Sequence, residues 1–154
     1  MIKSNGSIEI SRPIHEVYDY TLNNVAEWSL TVVSETPIDV KPDNGVGTTY
    51  RCVTEDRGQR MTFEGIVTKS EPPTLSVSEL TGTSFDIEVA YGFEDLGDST
   101  RVTQVSIVRP KSFFLKFFLK FFAGMATKGG CDATQKELVS LKQHMEGQDE
   151  DSHE

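Results

Sequence analysis

The spacing of hydrophobic and polar positions changes period three times along the chain, and each change marks a change of element. Ser7 to Ser11 alternate, with Ile8 and Ile10 on one face, which predicts a short strand. Ile14, Val17, Tyr18, Thr21 and Leu22 then recur at helical spacing. Pro13 suits the first turn of that helix, where its missing N–H would have no partner anyway, and Glu16 complements the positive end of the helix dipole. Asn23-Asn24 breaks the pattern, and a second short helix is expected over residues 25–29. From Thr31 to Arg109 the period is two. Strands are expected over 37–40 (a weak edge strand), 47–55, 60–70, 75–80, 84–94 and 99–109, separated by turns such as Asp43-Asn44-Gly45, Asp56-Arg57-Gly58 and Leu96-Gly97-Asp98. Short turns between alternating strands predict an antiparallel meander with one wet and one dry face. Pro110 ends it. The helical period returns over 111–145, with a kink or break expected at Gly129-Gly130.

Strand parity then predicts the dry face: Tyr50 and Cys52; Met61, Phe63, Gly65 and Val67; Leu75 and Val77; Phe85, Ile87, Val89, Tyr91 and Phe93; Val102, Gln104, Ser106 and Val108. Tyr50, Tyr91, Gln104 and Ser106 are polar groups among apolar neighbours, as in sites that orient an apolar ligand. Glu79 continues the parity of Leu75 and Val77. Facing inward it would be a candidate acid or base with a raised pKa; if the strand ends first, it is in water.

Residues 112–122 read SFFLKFFLKFF. At about 100° per residue, Phe113, Phe114, Phe117, Phe118, Phe121 and Phe122 span roughly half of a helix circumference, wider than one-sided packing needs. Three readings follow: a helix buried in a concave sheet, the same helix with rings such as Phe117 and Phe121 lining a cavity, or an interfacial helix on a membrane or partner protein. The stretch is too short to span a bilayer.

Composition adds size and charge. A length of 154 residues suits one domain with a real core. A formal net charge of −9 repels nucleic-acid phosphates and anionic headgroups, so no nucleic-acid partner is expected and a membrane contact is the weaker alternative. Residues 147–154, GQDEDSHE, hold no apolar side chain and are expected to be a disordered acidic tail after a domain over 1–146. The N-terminus lacks the apolar run that secretion needs, so a cytoplasmic location is expected, with Cys52 and Cys131 reduced. No metal-ligand spacing surrounds them, and neither metal nor cofactor is expected.

Ordinary catalytic signatures are absent: no glycine-rich phosphate loop, zinc-protease helix or nucleophile elbow. His15 sits beside Glu16, where exposed polar residues are expected, and Cys52 reads as a small core residue.

The element order, with several stretches, resembles the START-like (SRPBCC) superfamily and within it the polyketide cyclase/dehydrase and lipid-transport family. Ser7-Ile8-Glu9-Ile10 followed by Arg12-Pro13-Ile14-His15-Glu16-Val17-Tyr18 resembles that family's opening strand and helix. Trp28 resembles the tryptophan of its second helix, and 45–50 (GVGTTY) its glycine turn. The best local match is 63–73 (FEGIVTKSEPP), and 99–103 (STRVT) resembles its last strand. The resemblance covers roughly residues 5–146. It implies an α+β helix-grip fold: a curved antiparallel sheet of six to seven strands wrapped around a long C-terminal helix, with two short helices after the first strand. It also implies an apolar ligand between sheet and helix, and it carries over no catalytic residue.

The expected function is binding of a hydrophobic small molecule such as a lipid, polyketide or aromatic compound, by a monomer or homodimer. Candidate ligand-binding residues are Trp28, Tyr50, Phe63, Phe85, Val89, Tyr91, Gln104, Ser106, Phe117 and Phe121. The alternatives are a cyclase- or dehydratase-type enzyme using the same pocket, with no catalytic residue assigned, and an interaction protein docking through its phenylalanine-rich helix.

Overall fold

In a computed structural model, which describes residues 2–56, 58–111 and 130–152, the period-two region and the opening strand together form one seven-stranded antiparallel sheet. The elements are β1 (Ile2–Ile10), α1 (Ile14–Asn23), α2 (Val25–Trp28), β2 (Val32–Asp39), β3 (Thr49–Asp56), β4 (Gln59–Glu71), β5 (Leu75–Thr81), β6 (Phe85–Asp95), β7 (Thr100–Pro110) and α3 (Gly130–Ser152). The strand order is β1-β7-β6-β5-β4-β3-β2. β1 and β2, consecutive strands of the chain, lie at opposite edges, and α1 and α2 make the crossing between them. Pro37 stands in edge strand β2, where a missing N–H costs the sheet least. The expectations for the phenylalanine stretch and for Gly129 lie outside the described residues.

Three expectations need correction. β1 begins at Ile2, not Ser7, because its ladder with β7 runs from Ile2↔Val108 to Ile10↔Thr100; pairing overrides the weak β propensity of Lys3-Ser4-Asn5-Gly6. β2 begins at Val32, not Pro37: the β-branched Val32 and Val33 start it, and bulges on either side of Ser34–Pro37 mask its alternation. β5 faces the other way from the expectation. Ser76↔Tyr91, Ser78↔Val89 and Leu80↔Ile87 are direct partners, and partners in a ladder share a face. The strong alternation of β6 therefore turns Ser76, Ser78 and Leu80 inward. Leu75, Val77 and Glu79 face out, and Glu79 lies 3.9 Å from Arg109 Nη1 with its side chain 46% exposed. The described helix α3 also continues past Met145 to Ser152. Glu and Gln are good helix formers, and no proline stands in this segment to stop it.

Two clusters pack the concave face. One joins Ile10, Ile14, Val17, Trp28, Phe93 and Val102 to Leu138, Leu141 and Met145 of α3; the other joins Cys52, Phe63, Leu80 and Phe85. Helix α3 is seated against β1 by small residues. Ser4 and Thr134 hydroxyls hydrogen-bond at 2.8 Å, and the Gln135 amide reads both backbone groups of Ser7 at 3.0 and 2.9 Å. A Cβ on Gly6 would fall 2.9 Å from Gln135 Oε1, so glycine permits this close approach. Ser140 Oγ donates to Trp28 O at 2.6 Å, tying α3 to α2.

Candidate functional site

Between the two clusters the concave face carries small side chains. One cross-strand row reads Val67, Ser78, Val89, Ser106, Ser4; the next reads Ser76, Tyr91, Gln104, Gly6. Serine at 76, 78 and 106 leaves volume that leucine or phenylalanine would fill. The result is a cavity of about 730 Å³, within the size range of small-molecule sites. Its walls include Val25 of α2, Glu35 and Pro37 of β2, Tyr50 and Cys52 of β3, Val89 and Tyr91 of β6, Gln104, Ser106 and Val108 of β7, and Thr134 and Glu137 of α3. Leu30 and Val40 line it as well and are 59% and 55% exposed, which places its mouth between the α2–β2 connection and the end of β2.

Polar groups on several elements face this volume. Glu35 pairs with Cys52 across β2 and β3. Burial pushes the Glu35 carboxyl up to about 7, against the opposing effect of a hydrogen bond from the Cys52 thiol. Burial, with the adjacent Glu35 charge, pushes Cys52 up to about 12, so the thiol stays protonated and a poor nucleophile. Tyr50 is raised for the same two reasons, burial first, and exchanges a hydrogen bond with Ser78. Its ring covers Gly65 on β4, where a Cβ would clash with it, 2.6 Å from Cε2 and 2.8 Å from Cε1; glycine leaves room for this phenol. Tyr91 is raised by burial and then by the charges of Glu137 and Glu35. Glu137 is itself raised by burial, although its Oε1 accepts from Leu30 N at 3.0 Å and Thr31 Oγ1 at 3.4 Å. A carboxyl such as Glu35, balanced near neutrality, can both give and take a proton at a bound molecule.

Of the candidates named from the sequence, Tyr50, Val89, Tyr91, Gln104 and Ser106 line this cavity. Trp28, Phe63 and Phe85 are instead core: Trp28 is 1% exposed and donates Nε1–H to Thr21 O at 3.1 Å, and Phe63 packs on Phe85 with ring centroids 5.5 Å apart. Phe117 and Phe121 lie outside the described residues. Sequence reasoning missed Glu35, Glu137, Ser76 and Ser78. Glu35 fell just before the edge strand expected over 37–40; the β-branched run Thr31-Val32-Val33 was the available signal. Among the described residues, no cluster of His, Cys, Asp and Glu could hold a metal ion, and no helix is long and apolar enough to cross a membrane.

Comparison with known proteins agrees with this geometry. The family described as polyketide cyclase/dehydrase and lipid transport matches residues 1–146. The chain belongs to that family. No functionally curated protein matches it. Among solved structures, TTHA0849 from Thermus thermophilus superposes with a TM-score of 0.71 at 16% identity, covering 92% of this chain and 94% of that one. The di-domain aromatase/cyclase BexL of the BE-7585A biosynthetic pathway gives 0.67 at 19% identity, with 92% of this chain covered but 49% of BexL, so this chain spans about half of it. The Zhui aromatase/cyclase from Streptomyces sp. R1128 gives 0.65 at 8% identity, with 92% and 94% covered. At such identities the likeness shows the fold, which is the helix-grip fold of the START-like superfamily.

Proposed function

We propose that this member of the family binds an apolar small molecule in the cavity between sheet and α3, with the molecule's polar end toward Glu35, Tyr91 and Gln104. The observation that carries the reading is the cavity of about 730 Å³ itself. It lies where two inward serines on β5 and one on β7 replace the bulky residues that would close a core, and Glu35, Tyr91, Gln104 and Glu137 put polar groups on its lining. A site that is mostly apolar with a few oriented polar groups binds by shape and burial and selects by hydrogen bonding.

The test is a fluorescence titration with Nile red, a neutral apolar dye. The wild-type protein should bind it saturably, and Ser78→Phe, which places a ring in the cavity floor, should weaken binding at least roughly tenfold while thermal unfolding shows the fold retained. Unchanged dye binding in a folded Ser78→Phe protein would remove the cavity from the account.

A further inference from the structure

The charges around the cavity are unbalanced. Among the described residues that line it, Glu35, Asp56 and Glu137 carry carboxyl groups, Lys136 on the exposed side of α3 carries the one amine, and no arginine contributes. Ion pairs lie elsewhere: on the outer face Arg109 joins Glu79 and Glu88, and Lys111 joins Asp86, whereas no ion pair among the described residues reaches Glu35 or Glu137. An anionic end group, whether carboxylate or phosphate, would enter beside these acids and lose its hydration with no buried cation among the described residues to meet it.

A second feature points the same way. Gln104 is 8% exposed and lines the cavity. Its Nε2 reaches Ser106 Oγ at 3.4 Å, but its Oε1 has no hydrogen-bond partner among the described residues. A buried acceptor without a donor is unfavourable, and a donor group on the ligand would satisfy it. Tyr91 is where these features meet. It is the direct cross-strand partner of Gln104, and the charges of Glu137 and Glu35 both act on it. The rings of Tyr91 and Tyr50 add faces that attract a cation.

Building on the binding role proposed above, we infer that the ligand is an apolar molecule carrying a protonated amine, its ammonium group held at Tyr91 among Glu35, Glu137 and Gln104. An ammonium group has donors and no acceptor, which matches a cavity lined by two carboxyls and an amide oxygen without a partner among the described residues. It also supplies a positive charge that neither carboxyl group receives from an ion pair among the described residues.

Three probes with one apolar body test this by calorimetry at pH 8: 2-(1-naphthyl)ethylamine, 2-(1-naphthyl)ethanol and 1-naphthaleneacetate. The amine should bind about tenfold more tightly than the alcohol, and the acetate most weakly. Glu35→Gln, or Glu137→Gln if the first variant is unstable, should shrink the amine's advantage over the alcohol. If the alcohol binds as well as the amine, or the acetate binds best, the cavity is a binding site but the inference about its ligand is wrong. If none of the three binds, the binding role itself fails and this inference falls with it.

Discussion

At the residue scale, Glu35 is the group whose behaviour separates this cavity from an ordinary core. Its carboxyl holds a proton up to about pH 7 in the folded chain, against 4.5 ordinarily, because burial disfavours the charged form. Between those two values the folded state binds more protons than the unfolded chain, so stability falls as pH rises through the window from 4.5 to 7 and levels off above it. Glu35→Gln keeps the neutral shape and removes the titration. Urea unfolding at pH 5 and pH 8 should show a flatter pH dependence in the variant and a gain over wild type of roughly 1–3 kcal/mol at pH 8. Equal pH slopes in the two proteins would mean that Glu35 is hydrated. This residue was not legible in the sequence, because its place depends on the β2–β3 register and the bulges beside it, and register is a tertiary property. Tyr91, Gln104 and Ser106 were legible, since β6 and β7 alternate cleanly enough to expose polar groups on an apolar face.

At the element scale, glycine and tyrosine act together on β3 and β4. Tyr50 pairs with Gly65 and its ring occupies the space of the missing side chain. Gly65→Ala should force the ring off its site and destabilise the protein by about 1–3 kcal/mol. Adding Tyr50→Ala should recover part of that loss, because the clash then has no partner. Thermal unfolding of the two single variants and the double variant measures the coupling, and strictly additive effects would contradict the arrangement. The elements themselves were largely readable: the opening helix, the break at Asn23-Asn24, and β3, β4, β6 and β7 fall within a few residues of their predicted spans. β5 was not. Its sequence LSVSEL offers apolar residues at Leu75 and Val77, and hydrophobicity alone chooses that face. The structure chooses the other, because ladder partners on β6 outweigh a short strand's own pattern. That inversion moved Glu79 to the outer face and two serines to the cavity floor. The sequence left Glu79 between an inward and a water-exposed reading, and the structure gives the exposed one, through the register with β6 rather than an early strand end.

At the scale of the whole molecule, stability and binding occupy different places. The cluster around Trp28, Val102 and Leu141 ties α1, α2 and α3 to β1, β6 and β7, and the cluster around Cys52, Phe63 and Phe85 closes the other part of the sheet. The volume between them is left to small and polar side chains, which suit a guest better than a core. The central claim is that this volume holds one apolar molecule. Native mass spectrometry of freshly purified protein, supplemented with 2-(1-naphthyl)ethanol if no partner co-purifies, tests it most directly. The account predicts a complex of one apolar molecule with one chain, whose guest is recovered by organic extraction. A spectrum showing only the bare chain, before and after the probe is added, would contradict it.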